Sequence, residues 1–236
     1  MKRFALMAVG TLILAGGLSA ETQKKDAVIK AADGIDLKVT YFSPGRPGPG
    51  MLLLHQCNMD RHAWDGLAKD LADAGFHVVT LDYRGFGESG GDRAQREKWP
   101  GDVDAAYAYL LAQKDVDKTR VAAGGASCGV TLSSDLATRH HEVRALMLLS
   151  GQASDAAKAY LTATPAIPVF GAASDGDTSA AKGINEAVAA SKNPHSTIKI
   201  YSGTEHGVPM FAKNAELEPM IVTWLKTQLA PPGGSH

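Results

Sequence analysis

Val121-Ala122-Ala123-Gly124-Gly125-Ala126-Ser127-Cys128-Gly129 is the stretch on which the fold turns. Val121 to Gly124 is a short apolar run of the kind that forms a buried strand. Cys128 to Arg139 is predicted as the helix that follows it. A Gly-x-Ser-x-Gly between strand and helix has a mechanical meaning. The glycines permit a sharp, strained turn that lifts the serine hydroxyl clear of the sheet. The helix N-terminus sets unpaired N–H groups and a positive dipole end beside it. Ser127 is therefore the candidate nucleophile. The competing reading of the same residues is a glycine-rich turn that packs a helix onto a strand.

Outward from this turn the chain alternates. Ala27 to Phe42 reads as a hairpin around Asp33-Gly34. Met51 to His55 and His77 to Leu81 are buried-strand runs, separated by a helix over Ala63 to Ala74 that stops at Gly75. A helix over Asp102 to Gln113 precedes the central strand. Ala145 to Leu149 is a strand; Ile167 to Gly171, Ala180 to Ala190, Thr197 to Tyr201 and Phe211 to Leu229 continue the strand–helix alternation. Such alternation predicts a mostly parallel sheet with helices on both faces, preceded by an antiparallel hairpin. Chemistry in such sheets gathers in the loops after the strand ends. One domain is predicted over 21–236, with 231–236 as a loose tail.

Composition excludes several partner classes. The 236 residues carry a net charge of -1, so no electrostatic case exists for nucleic acid or an anionic surface. Lys2 and Arg3, then apolar Phe4 to Leu18, then Leu18-Ser19-Ala20 follow the layout of a secretory signal peptide over 1–20. The apolar run falls short of the ~20 residues a bilayer-spanning helix needs. Export to the periplasm or outside is expected, with no stable membrane insertion after cleavage. The two cysteines are too few for a disulfide scaffold.

A serine nucleophile needs a base and an acid. Among eight histidines, His206 in Gly203-Thr204-Glu205-His206-Gly207 stands on the active rim, after the strand ending near Tyr201. An imidazole there accepts the serine proton near neutral pH. The acid is expected after Ile167 to Gly171, where Asp175 and Asp177 both qualify. Asp177 is favoured because it stands just before a helix; Asp175 suits a turn with Gly176.

The order Ser127, Asp177, His206 resembles that of α/β-hydrolases. The chain is most similar to the dienelactone hydrolase and small esterase branch of that superfamily. The resemblance is carried by Leu52-Leu53-Leu54-His55-Gln56-Cys57, Leu81 to Ser89, the Ser127 turn, the Asp177 loop and Thr204 to Gly207, which together span nearly all of the mature chain. It implies an α/β-hydrolase fold and hydrolysis of a small-molecule ester through an acyl-enzyme, with no cofactor and no metal. The oxyanion donors it implies are the backbone N–H of Cys128 and, from the loop after His55, that of Cys57. Relatives often carry glycine where Gln56 stands, so the Gln56 side chain is an alternative donor. His55 is read as positioning that loop. Both cysteines then fall at the oxyanion hole. A pair of buried reduced thiols is the expected state, and a disulfide at the rim is the alternative. Cys128 as nucleophile is a minor alternative, because dienelactone hydrolases use cysteine.

Only Ser150 to Ala166 is available for a cap, enough for a short helix over Ala156 to Leu161. The site is therefore expected to be open, with Tyr160, Met210 and Phe211 at its border. Readings from other classes are a peptidase-like or dienelactone hydrolase-like activity, and a non-catalytic binding protein on the same fold.

Overall fold

The structure is a computed structural model that describes residues 21–231, so the predicted leader and the end of the tail lie outside the described residues. Among these residues eight strands form one sheet: β1 (Gln23–Lys30), β2 (Asp36–Ser43), β3 (Gly48–Leu54), β4 (His77–Leu81), β5 (Val116–Ala126), β6 (Val143–Leu149), β7 (Val169–Ser174) and β8 (Thr197–Tyr201). Their spatial order is β1-β2-β4-β3-β5-β6-β7-β8. β1 and β2 form the antiparallel hairpin, and β2 pairs antiparallel with β4. All later pairs are parallel.

Among the described residues seven α-helices cover the sheet: α1 (Asp65–Asp73), α2 (Trp99–Ala112), α3 (Cys128–Arg139), α4 (Asp155–Ala163), α5 (Thr178–Ala190), α6 (Met210–Lys213) and α7 (Leu217–Gln228). The continuous apolar runs form strands buried on both faces, with side chains alternating between two cores. Leu52 and Leu54 of β3 join Val103 and Leu110 of α2 and Val130 and Leu136 of α3. Met51 and Leu53 join Leu67 and Leu71 of α1 and Ile221 and Leu225 of α7. Each such buried aliphatic side chain contributes roughly 1.5–3 kcal/mol. Helix α1 ends as its sequence predicts, with Phe76 N–H on Leu71 O (2.9 Å) and Gly75 N–H on Ala72 O (2.9 Å).

Several boundaries differ from expectation, three of them with a visible cause. β5 begins at Val116, not Val121, because Asp117 to Arg120 are polar residues at the open end of the strand. The expected helix over Phe211 to Leu229 is two, broken at Asn214, whose Nδ2 donates to Met210 O (2.9 Å). α2 starts at Trp99, with Pro100 in its first turn where a missing N–H costs nothing. Between Leu149 and Val169 the only helix is α4, so no large cap covers the sheet.

The order of strands places the site. β3 leads to α1 and then to β4 on one side, whereas β5 lies on the other side of β3. The chains leaving β3 and β5 therefore diverge, towards α1 on one face and α3 on the opposite face. A crevice opens at that switch point.

The segment after β4 is held by buried charge. Asp82 accepts from the backbone N–H of Arg61 (2.7 Å) and Glu88 (3.0 Å), and pairs with the Arg61 guanidinium. Arg61 Nε donates to Thr40 Oγ1 (3.0 Å). The side chains of Arg61 and Asp82 are 2% and 0% exposed. These bonds fix the turn that follows β4. Asp82→Ala removes the buried partner of the Arg61 guanidinium and leaves it only the exposed carboxylates of Glu88 and Asp26, and is expected to lower stability by about 3–5 kcal/mol. Urea unfolding measures this; a loss under about 1 kcal/mol would contradict the assignment.

Candidate active site

Ser127 is at the apex of the β5–α3 turn with φ 54° and ψ -118°. It is one of two non-glycine residues with positive φ among those described, the other being Ser150. A β-carbon in that region is strained, and the surrounding structure must hold it there. The clamps are visible. Ser127 N–H donates to Leu149 O (3.0 Å), and Ser127 O accepts from Val130 N–H (2.9 Å). The glycines of the motif are required by close approach. A Cβ on Gly125 would lie 2.3 Å from Gly129 O, and one on Gly129 would lie 2.3 Å from Leu54 O. Only glycine lets α3 sit this tightly over the ends of β3 and β5.

Two loops across the crevice carry the acid and base candidates. His206 Nδ1 and Asp177 Oδ2 are 2.5 Å apart. The pair is partly open to solvent, with side chains 42% and 19% exposed. Asp177 occupies the N-cap position of α5, but its carboxylate makes no capping bond and turns to the imidazole instead. Asp175 does different work: its Oδ1 accepts from Gly203 N–H (3.1 Å) and its N–H donates to Tyr201 O (2.8 Å). Ser174 Oγ adds a bond to Glu205 O (2.8 Å). Asp175 and Ser174 thus stitch the acid loop to the histidine loop.

Ser127, Asp177 and His206 line one cleft of about 300 Å³ with Cys128, Thr131, Gly151, Gln152, Ser179 and Ala180. No hydrogen bond joins Ser127 Oγ to His206. With Nδ1 committed to Asp177, Nε2 is the ring nitrogen left for a proton from the serine, and such contacts commonly tighten only when substrate is bound.

The expected apolar border is not there. Met210 is buried and accepts a contact from Ser150 Oγ at 3.2 Å. Phe211 packs on Trp64, and Tyr160 Oη bonds His141 Nδ1 (2.9 Å). The lining is mixed instead, with the polar side chains of Thr131, Gln152 and Ser179 beside Cys128, Gly151 and Ala180. Thr131 lies one helical turn after Ser127, Gln152 follows β6 on the active rim, and Ser179 opens α5. Gln152 Nε2 donates to Ser179 Oγ (3.2 Å), and Thr131 Oγ1 donates to Gln152 O (2.7 Å). These positions were readable as rim positions, but polar residues there carry no periodic signal. A second hollow of about 170 Å³ adjoins the first through Gln152 and Ser179 and reaches Lys182 and Glu186.

Cys57 and Cys128 form a disulfide, with Cα atoms 5.9 Å apart. This corrects the expectation of reduced thiols, and it removes Cys128 as a nucleophile, because its sulfur is not a thiolate. The backbone N–H groups of both residues donate to nothing among the described residues. Gln56 is committed elsewhere: Oε1 accepts from Val208 N–H (3.0 Å) and Nε2 donates to Asn58 Oδ1 (2.8 Å). Its side chain thus ties the loop after β3 to the histidine loop. His55 is fully buried between Tyr83 and Phe86, with ring centroids 4.2 and 5.2 Å away. Burial pushes its imidazole below the usual histidine range. Its Nδ1 lies 2.8 Å from Gln56 O, a contact that holds the loop.

No helix among the described residues is long and apolar enough to cross a membrane. The alpha/beta hydrolase fold family matches residues 49–198, a span that includes Ser127 and Asp177. An uncharacterized protein of Mycobacterium tuberculosis (strain ATCC 25618 / H37Rv) is 34% identical over 117 residues, 49% of this chain and 41% of that protein. The chain thus spans less than half the length of the curated relatives it matches. Among solved structures, the Pyrococcus furiosus esterase Pf2001 superposes with a TM-score of 0.71 at 18% identity, over 88% of this chain and 92% of that one. GrgF, an alpha/beta hydrolase from Penicillium sp. sh18, gives 0.72 at 13% identity, over 89% and 100%. The Pyrobaculum calidifontis esterase gives 0.67 at 15% identity, over 89% and 86%. At these identities the likeness is one of fold. The sheet order, the strained serine between strand and helix, and the family match over most of the sheet agree: this chain belongs to the alpha/beta hydrolase fold family.

Proposed function

We propose that the protein is a serine hydrolase that cleaves small carboxylic esters or thioesters through an acyl-enzyme. The reading rests on one observation: a serine at a strained strand–helix apex shares a cleft with a histidine whose Nδ1 faces a carboxylate. In this mechanism His206 Nε2 takes the proton from Ser127 as Oγ attacks the acyl carbon, then returns it to the leaving group. Asp177 fixes the imidazole tautomer and stabilises the imidazolium. The N–H groups of Cys128 and Cys57 bind the oxyanion of the tetrahedral intermediate. Water repeats the cycle to release the acid.

The polar lining of Thr131, Gln152 and Ser179 favours short or hydroxylated acyl groups over long alkyl chains. The two esterases of similar fold are consistent with this chemistry, as is a protein working after export. A disulfide persists in an oxidising compartment, which supports that location. A series of p-nitrophenyl esters from acetate to octanoate tests the function. Turnover is expected, with kcat/KM highest for the shortest chains. A folded protein with no turnover above solvent on any ester overturns the reading, and a rise towards octanoate overturns the acyl preference.

A further inference from the structure

We infer that the Cys57–Cys128 disulfide is a positioning group for the oxyanion hole, so that full turnover requires the oxidised protein. The inference rests on the serine hydrolase reading above. β3 and β5 run parallel in register as far as Leu54 and Gly125. Beyond those residues the two chains part towards opposite faces of the sheet. The proposed donors sit just past the point of divergence, on Cys57 and Cys128. The disulfide is the one covalent tie across that gap.

Other bonds hold the loop after β3, but towards α3 there is only the long contact of Cys128 Sγ with His55 O (3.8 Å). Met59 N–H donates to Gln56 O (3.0 Å), His55 Nδ1 lies against the same oxygen, and the Gln56 side chain bonds Val208 and Asn58. Beyond the Sγ contact, α3 meets the chain through the backbone packing of Gly129 on Leu54 and His55. The sheet itself does not need the crosslink, because the β3–β5 ladder is complete without it. Loss of the disulfide therefore frees the Gln56–Asn58 turn rather than the fold. Preorganised donors act only if they stand where the oxyanion forms. Cys128 lines the cleft, so a dithiol reductant can reach the bond. The dithiol supplies two electrons and two protons: the S–S bond breaks, two thiols form, and the reductant closes its own disulfide.

The test compares oxidised wild type, wild type reduced with dithiothreitol and desalted without air, reoxidised wild type, and Cys57→Ala/Cys128→Ala. Each is assayed for kcat and KM on p-nitrophenyl acetate, with circular dichroism at the assay temperature. Deleting an oxyanion donor costs about 10²–10³ in kcat; a loosened one is expected to cost about 10- to 100-fold. KM should stay within about twofold, since the ground-state carbonyl gains little from the hole. Reoxidation should restore kcat. If the double variant does not fold, the reduced wild type carries the test. An unchanged kcat on reduction, with the oxidised protein active, overturns the inference and leaves the hydrolase reading standing. A loss of kcat that tracks a loss of the dichroism signal also overturns it, as does a change confined to KM. An oxidised protein inert on the ester overturns both.

Discussion

Ser127→Ala is expected to lower kcat on p-nitrophenyl acetate by about 10⁶-fold, with the fold intact. The size follows from the division of labour in the cleft. In the proposed mechanism the variant loses the atom that forms the acyl-enzyme. It keeps the proposed backbone donors of Cys128 and Cys57, so some stabilisation of charge on a bound ester is expected to persist. The fold should be unaffected for a specific reason. Alanine also carries a Cβ, so the strain at φ 54° is the same, and the clamps from Leu149 O and Val130 N–H are backbone bonds. Steady-state kinetics with active-site titration of the wild type measures the loss. A variant retaining more than about a hundredth of wild-type kcat contradicts the role of Ser127.

The second large effect separates two aspartates. Asp177→Asn is expected to lower kcat by about 10⁴-fold, and Asp175→Asn by no more than about threefold. The Asp177 carboxylate lies 2.5 Å from His206 Nδ1; in the proposed mechanism it holds the proton on that nitrogen and leaves Nε2 as the base. An asparagine can present its NH2 group there, which selects the wrong tautomer and gives no charge to stabilise the imidazolium. Asp175 accepts one bond from Gly203 N–H, and an amide oxygen accepts it equally well. Equal losses in the two variants, or a larger one at Asp175, contradict the assignment.

The sequence made the fold legible through its apolar runs, because strands buried on both faces must be apolar at every position. β3, β4 and β6 were readable for that reason, and Gly75 marked the end of α1. The polar start of β5 and the break at Asn214 were not, since neither interrupts an apolar period. Within the site, Ser127 and His206 were readable from position: one between strand and helix, the other on the rim after the last strand. Asp177 and Asp175 are two residues apart, and only the path of the loop decides which carboxylate meets the imidazole. The disulfide depends on β5 lying beside β3, whereas the chain visits β4 in between. Sequence order does not contain that adjacency. The lining of Thr131, Gln152 and Ser179 was not legible, because single polar residues at strand ends and helix starts follow no apolar period.

Labelling with a fluorophosphonate probe tests Ser127 as the nucleophile, because the reagent needs a serine activated by its base. Intact-mass measurement should give one adduct per chain, and peptide mapping should place it on Ser127. Ser127→Ala should take no label. No adduct on the folded wild type, or an adduct that survives in Ser127→Ala, would contradict the account.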